Sequence, residues 1–212
     1  MSTIQDAFHR LVAGNQSYKA KTFSEAPNFL PQLATGQSPE VLWIGCADSR
    51  VPETTICQCK PGDIFVHRNI ANILSADDIS AGSVIQYGVG AVKVQRIVVC
   101  GHTSCGGANA ALGDADLGET LNTWLHPMRE LRRKHQKELD ALESTAAKAN
   151  RLAEINVRNS LEVLQTLPVV GNAMRERGLT LHGVIYDIGE GELKVLEETS
   201  KSGNNSLWSQ GR

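Results

Sequence analysis

The chain of 212 residues has no apolar run near the ~18 residues that a membrane-spanning helix requires. Its opening residues, MSTIQDAFHRLVAG, lack the apolar core of a secretory leader. Nor is there an excess of one charge: 21 Lys and Arg against 23 Asp and Glu leave a formal charge of -2. Nucleic acid is therefore not an expected partner. The densest basic stretch, RELRRKHQK over 129–137, mixes signs at helical spacing and reads as a solvated helix face. The five cysteines are an odd number in a chain without a leader, which argues against a disulfide framework and leaves metal binding or thiol chemistry. There is no internal repeat and no low-complexity tract. These absences leave a soluble, cytoplasmic, single-domain protein with no membrane partner, long enough to bury a sizeable core.

What is present has the rhythm of an α/β fold. VLWIGCA (41–47), IFVHRN (64–69) and RIVVCGH (96–102) are short apolar runs that read as strands buried on both faces. Between the last two, Ser75 offers a helix cap, and Ile79, Val84, Ile85, Tyr87 and Val89 recur at mostly helical spacing. That is a strand, helix, strand unit. The first 34 residues show short helical patterns around a loop at EAPNFLPQ (25–32). Gly106 and Gly107 open a small-residue helix, residues 117–166 are predominantly helical, and Pro168 breaks that run. LTLHGVIYDIG (179–189) and ELKVLEE (192–198) then read as a strand with a hairpin partner or an extension. The expected architecture is α/β: a mostly parallel central sheet of about four to five strands flanked by helices. It is one domain over 1–212, with N-terminal helical arms over 1–40 and the α/β core over 41–200.

The first strand ends oddly. Cys46, Asp48 and Arg50 follow one another at intervals of two in CADSRVPE, where charged groups are costly unless paired. The third strand ends in HTSC, placing His102 and Cys105 at a strand-to-helix turn. Ligands collect at the carboxyl ends of parallel strands, so Cys46 can join His102 and Cys105 there. Two thiolates and an imidazole suit zinc, with a fourth position left for water as in a catalytic site. Taken alone, an HxxC pair or a cysteine at a strand end is as well explained by packing. Asp48 and Arg50 shift the balance, because a two-pronged bond from Arg50 would keep Asp48 ionised and aimed beside a metal.

CADSRVPE followed some fifty residues later by HTSCGG resembles the β class of carbonic anhydrases, and the likeness runs from LWIGC through FVHRNIAN to HGVIYDIGEGEL. The resemblance implies one Zn2+ per chain held by Cys46, His102 and Cys105, with Asp48 and Arg50 as the catalytic pair. It implies reversible hydration of carbon dioxide to bicarbonate and a proton by a zinc-bound hydroxide. Ala47 departs from the serine of many relatives, with little consequence expected. Two anionic thiolates on the metal predict a less acidic water than three histidines give, hence activity favoured at alkaline pH. A homodimer or homotetramer is likewise implied.

In a subset of that class a tryptophan, an arginine and a tyrosine bind bicarbonate and favour a closed state, with the aspartate as the fourth zinc ligand. Trp43, Arg68 and Tyr186 stand at the matching positions. Trp43 lies three residues before Cys46, so strand alternation predicts opposite faces for the two side chains. The remaining candidates have plainer readings: Cys57 and Cys59 as structural, Cys100 as a small buried hydrophobe, and His67 as a hydrogen-bonded core residue. Two other functions fit the same motifs. One is hydrolysis of carbon disulfide or carbonyl sulfide on the same zinc site; the other is a non-catalytic zinc-binding regulatory protein, which would need neither Asp48 nor Arg50.

Overall fold

A computed structural model describes residues 4–199. Internal packing divides the chain into two units, Met1–Ser38 and Pro39–Arg212.

The first unit holds α1 (Ile4–Glu25) and α2 (Phe29–Leu33). The short helical pieces expected from the sequence are one continuous helix of 22 residues, because nothing stronger than Gly14 interrupts it before Pro27. The expected loop at 25–32 is partly helical as well. Pro31 falls in the first turn of α2, where its missing N–H would have had no partner. Phe8, Leu11 and Tyr18 are exposed along α1.

The second unit is built on five strands in the order β2-β1-β3-β4-β5. They are β1 (Val41–Cys46), β2 (Ile64–Asn69), β3 (Arg96–His102), β4 (Thr180–Asp187) and β5 (Glu192–Thr199). The first four run parallel, and β5 returns antiparallel to β4, so the second of the two sequence alternatives, a strand extension, gives way to a hairpin. Between them run α3 (Glu53–Ile56), α4 (Ile79–Gln86), α5 (Gly106–Ala111), α6 (Glu119–Lys134), α7 (Gln136–Asp140), α8 (Thr145–Thr166) and α9 (Pro168–Arg177). The cap of α4 is Asp78 rather than Ser75: its Oδ1 accepts from the N–H groups of Ser80 and Ala81 at 2.9 and 3.3 Å. A carboxylate there also suits the positive end of the helix. Pro168 ends one helical run and, at the first position of α9, starts the next.

One face of the sheet carries the main core. Leu42, Ile44, Ile97, Val99 and Leu181 pack there with Leu152, Val157, Leu161 and Leu164 of α8. The helix comes unusually close: an added Cβ at Gly101 would stand 2.7 Å from Ile185 and 3.0 Å from Val157, and one at Gly183 2.9 Å from Leu161 and Val157. The other face has a smaller cluster of Trp43, Cys100 and Val184, with Tyr186 and Leu193 beside them. Trp43 and Cys46 do lie in different clusters, as alternation requires. The basic stretch 129–137 is not wholly solvated. Arg129 and Arg132 are buried and turn inward, donating to Ala115 O and Asn122 Oδ1 and to both carboxylate oxygens of Asp114, so they pin the loop between α5 and α6.

Candidate metal centre

Cys46 is the last residue of β1, His102 the last of its neighbour β3, and Cys105 caps the N-terminus of α5. Parallel pairing in register up to Gly45 and Cys100 delivers the two strand ends side by side. The ligand atoms of Cys46, His102 and Cys105 all lie within 4.8 Å of one another, and all three residues are buried.

The chemistry of this set fits a metal ion. Nδ1 of His102 pairs with its neighbour Thr103 O at 2.9 Å, which fixes the tautomer with the proton on that nitrogen. Nε2, buried, is left without a hydrogen-bond partner among the described residues. A buried ring nitrogen without a hydrogen-bond partner, facing two cysteine sulfurs, is the arrangement a soft divalent cation satisfies. The two thiols differ: the hydrogen bond from the Cys105 thiol, with the His102 ring beside it, lowers Cys46, while that same hydrogen bond and burial push Cys105 up. A cation held between the two sulfurs would displace their protons.

Asp48 and Arg50 complete the rim. Arg50 donates from Nε to Oδ1 at 2.9 Å and from Nη2 to Oδ2 at 2.7 Å, and its backbone N–H also reaches Oδ1 at 2.9 Å. The guanidinium holds the Asp48 carboxyl well below the usual carboxylate range. Oδ2 stands 4.0 Å from Nε2 of His102, so an ionised acceptor faces the ligand cluster.

Of the three remaining predicted residues, Trp43 and Tyr186 share the small cluster on the second face. Arg68 stands opposite Gly45 in the β1–β2 register, and the Trp43 indole lies over that glycine, its Nε1 2.6 Å from where a Cβ would be. The Arg68 guanidinium is engaged on main chain: Nε donates to Cys46 O at 2.8 Å and Nη2 to Asp48 O at 2.5 Å. Glu53, buried, comes within 3.8 Å of its Nη1. Cys100 and His67 have the plain roles read from the sequence. Burial pushes the Cys100 thiol up to about 12, and His67 is paired through Nε2 with the Asn69 side chain at 3.2 Å.

Sequence reasoning passed over Ser104 and Asn150. Ser104 has a left-handed backbone, φ +56°, inside the HTSC turn. Its carbonyl accepts from Arg50 Nη2 at 3.1 Å, and its N–H donates to Oδ1 of Asn150 on α8 at 3.0 Å. No signal in the sequence set Asn150 apart, since the same helix also carries Asn156 and Asn159.

Known proteins resemble the chain throughout this region. The carbonic anhydrase family model matches residues 41–193. A carbonic anhydrase of Emericella nidulans is 44% identical over 194 residues, covering 91% of this chain and 85% of that protein. A structure from a study of two tetrameric β-carbonic anhydrases of Sordaria macrospora superposes with a TM-score of 0.90 at 47% identity, covering 92% of this chain and 99% of that one. The β-carbonic anhydrase CafA of Aspergillus fumigatus gives 0.88 at 51% identity, over 90% and 91% of the two chains.

Proposed function

The chain belongs to the β-class carbonic anhydrases, zinc enzymes that interconvert carbon dioxide and bicarbonate, and from that premise we propose that Cys46, His102 and Cys105 are the zinc ligands and Asp48 and Arg50 the catalytic pair. Zinc, when bound, supplies the Lewis acidity that makes a water acidic enough to act as nucleophile near neutral pH. Cys46 and Cys105 give up their protons to hold it, and His102 presents Nε2 because Thr103 O occupies Nδ1. Asp48 accepts the hydrogen of the attacking oxygen and directs its lone pair at the carbon of carbon dioxide. Arg50 keeps that carboxylate ionised and in one orientation.

The observation that carries this reading is the two-pronged Arg50–Asp48 bond beside the His102 Nε2 atom, because a metal held only for structure needs no such pair. The test is stopped-flow hydration from mildly acidic to alkaline pH, with zinc measured on the same sample. One zinc per chain, a rate that rises with pH, and a loss of ~100-fold or more in Asp48→Ala are expected, the range for a removed general base. Full activity in Asp48→Ala would remove that residue from the mechanism.

The structure has Asp48 on Arg50. A second state, with Asp48 turned to the metal and bicarbonate held by Trp43, Arg68 and Tyr186, belongs to the same proposal. Its support is the place of Arg68: an anion that drew the guanidinium away would free the carbonyls of Cys46 and Asp48 together. The protein is also proposed to work in the cytoplasm as a homodimer or homotetramer. Five free thiols suit a reducing compartment, and exposed Phe8, Leu11 and Ile79 suit burial against further copies.

A further inference from the structure

Asp48 and Arg50 lie two residues apart on one loop, so the bonds between them fix each to the other and neither to the fold. The Arg50 side chain is half exposed, at 49%. Among the described residues, the one acceptor of its guanidinium outside Asp48 is the carbonyl of Ser104, at 3.1 Å. That carbonyl points at Arg50 because Ser104 is left-handed, a backbone state that a residue with a side chain keeps only when something holds it. What holds it is Oδ1 of Asn150, which accepts the Ser104 N–H at 3.0 Å. Asn150 is in turn anchored by α8, whose adjacent Ala149 is buried and whose later turns pack against β3 and β4.

We propose that Asn150 is a positioning residue for carbon dioxide hydration: its hydrogen bond holds the Thr103–Ser104 peptide group, so that the left-handed Ser104 presents its own carbonyl, in the next peptide group, to Arg50 and through it orients Asp48. This rests on the assignment of Asp48 and Arg50 as the catalytic pair. The relay ties the reactive carboxylate to the helix that crosses the sheet, so the aim of Asp48 is set by an element over 100 residues away in sequence. Asn150 touches neither ligand nor substrate. It acts through one backbone hydrogen bond, and its chemistry is that of an acceptor alone.

The test compares Asn150→Leu, which lacks the acceptor, with Asn150→Asp, which keeps it. In Asn150→Leu, kcat for hydration falls about 3- to 10-fold, the contribution of one hydrogen bond, with KM and zinc content unchanged. Asn150→Asp restores the rate. In an Arg50→Ala background the Asn150→Leu change has no further effect, because the relay ends at Arg50. If Asn150→Leu does not fold, Asn150→Ala carries the same comparison. An undiminished rate in the leucine variant, an equal loss in the aspartate variant, loss of zinc along with activity, or a full additional loss in the Arg50→Ala background would each overturn the proposal. A harmless Arg50→Ala would overturn the catalytic pair and the relay together, whereas a damaging Arg50→Ala beside a harmless Asn150→Leu removes the relay only.

Discussion

Arg68 donates to the carbonyls of Cys46 and Asp48 with a guanidinium that is mostly buried, so it steadies the main chain on either side of Ala47. Buried Glu53 supplies the nearest opposite charge. A cation so placed is a sensitive point of control, since an anion that competes for it releases the backbone of Cys46 and that of Asp48 at once. Cooperative inhibition by bicarbonate is therefore expected in the unaltered enzyme, and Arg68→Ala should lose it. Initial rates of hydration against bicarbonate concentration read this directly; a hyperbolic response that Arg68→Ala leaves unchanged would dismiss the second state. Basal activity in Arg68→Ala should also drop, by about 10-fold, because charge-assisted bonds to two carbonyls disappear.

At the level of elements, the approach of α8 to the sheet decides where the strand ends sit. Gly101 and Gly183 let Val157 and Leu161 descend on β3 and β4 to distances that no side chain would leave open. Gly183→Ala should cost about 1–3 kcal/mol by overpacking this contact, and it should weaken zinc retention, because the displaced strands carry His102. Gly82→Ala on α4, where nothing lies within 4 Å, should instead stabilise by about 0.5–1 kcal/mol, by restricting the unfolded chain in a helical position. Urea midpoints of the two variants would check the opposite signs. The glycines of β3 and β4 look alike in sequence to any glycine in a strand; only the partner helix shows which ones make room.

At the scale of the whole molecule, apolar side chains among the described residues remain uncovered on several elements. Phe8 and Leu11 are 63% and 74% exposed on α1, and Ile79 is 84% exposed at the start of α4. Val195 is half exposed on β5, where a shallow apolar cavity of about 230 Å³ runs between Trp43, Val98, Val184 and Leu193. A symmetric assembly of copies would cover such surfaces. Sedimentation equilibrium should give two or four chains per particle, and Phe8→Ser with Leu11→Ser should lower the mass. A monomer at micromolar concentration with full activity would refute the assembly.

A mostly parallel sheet and the meeting of Cys46, His102 and Cys105 were legible in the chain, because buried parallel strands are continuous apolar runs and these residues stand where those runs stop, whereas the order of the strands in the sheet was not. Local signals failed where a competing local choice existed: Asp78 over Ser75 as a cap, Pro31 inside a helical turn, Arg129 and Arg132 turned inward by Asp114 and the loop before α6. Cys46, His102, Cys105, Asp48 and Arg50 could all be named from their spacing. The hold of Arg68 on two carbonyls, the left-handed Ser104 and its tie to Asn150 were decided by tertiary structure alone. Each of these joins a backbone group to an atom whose direction is fixed by packing between distant elements, and spacing along a chain carries no record of that direction.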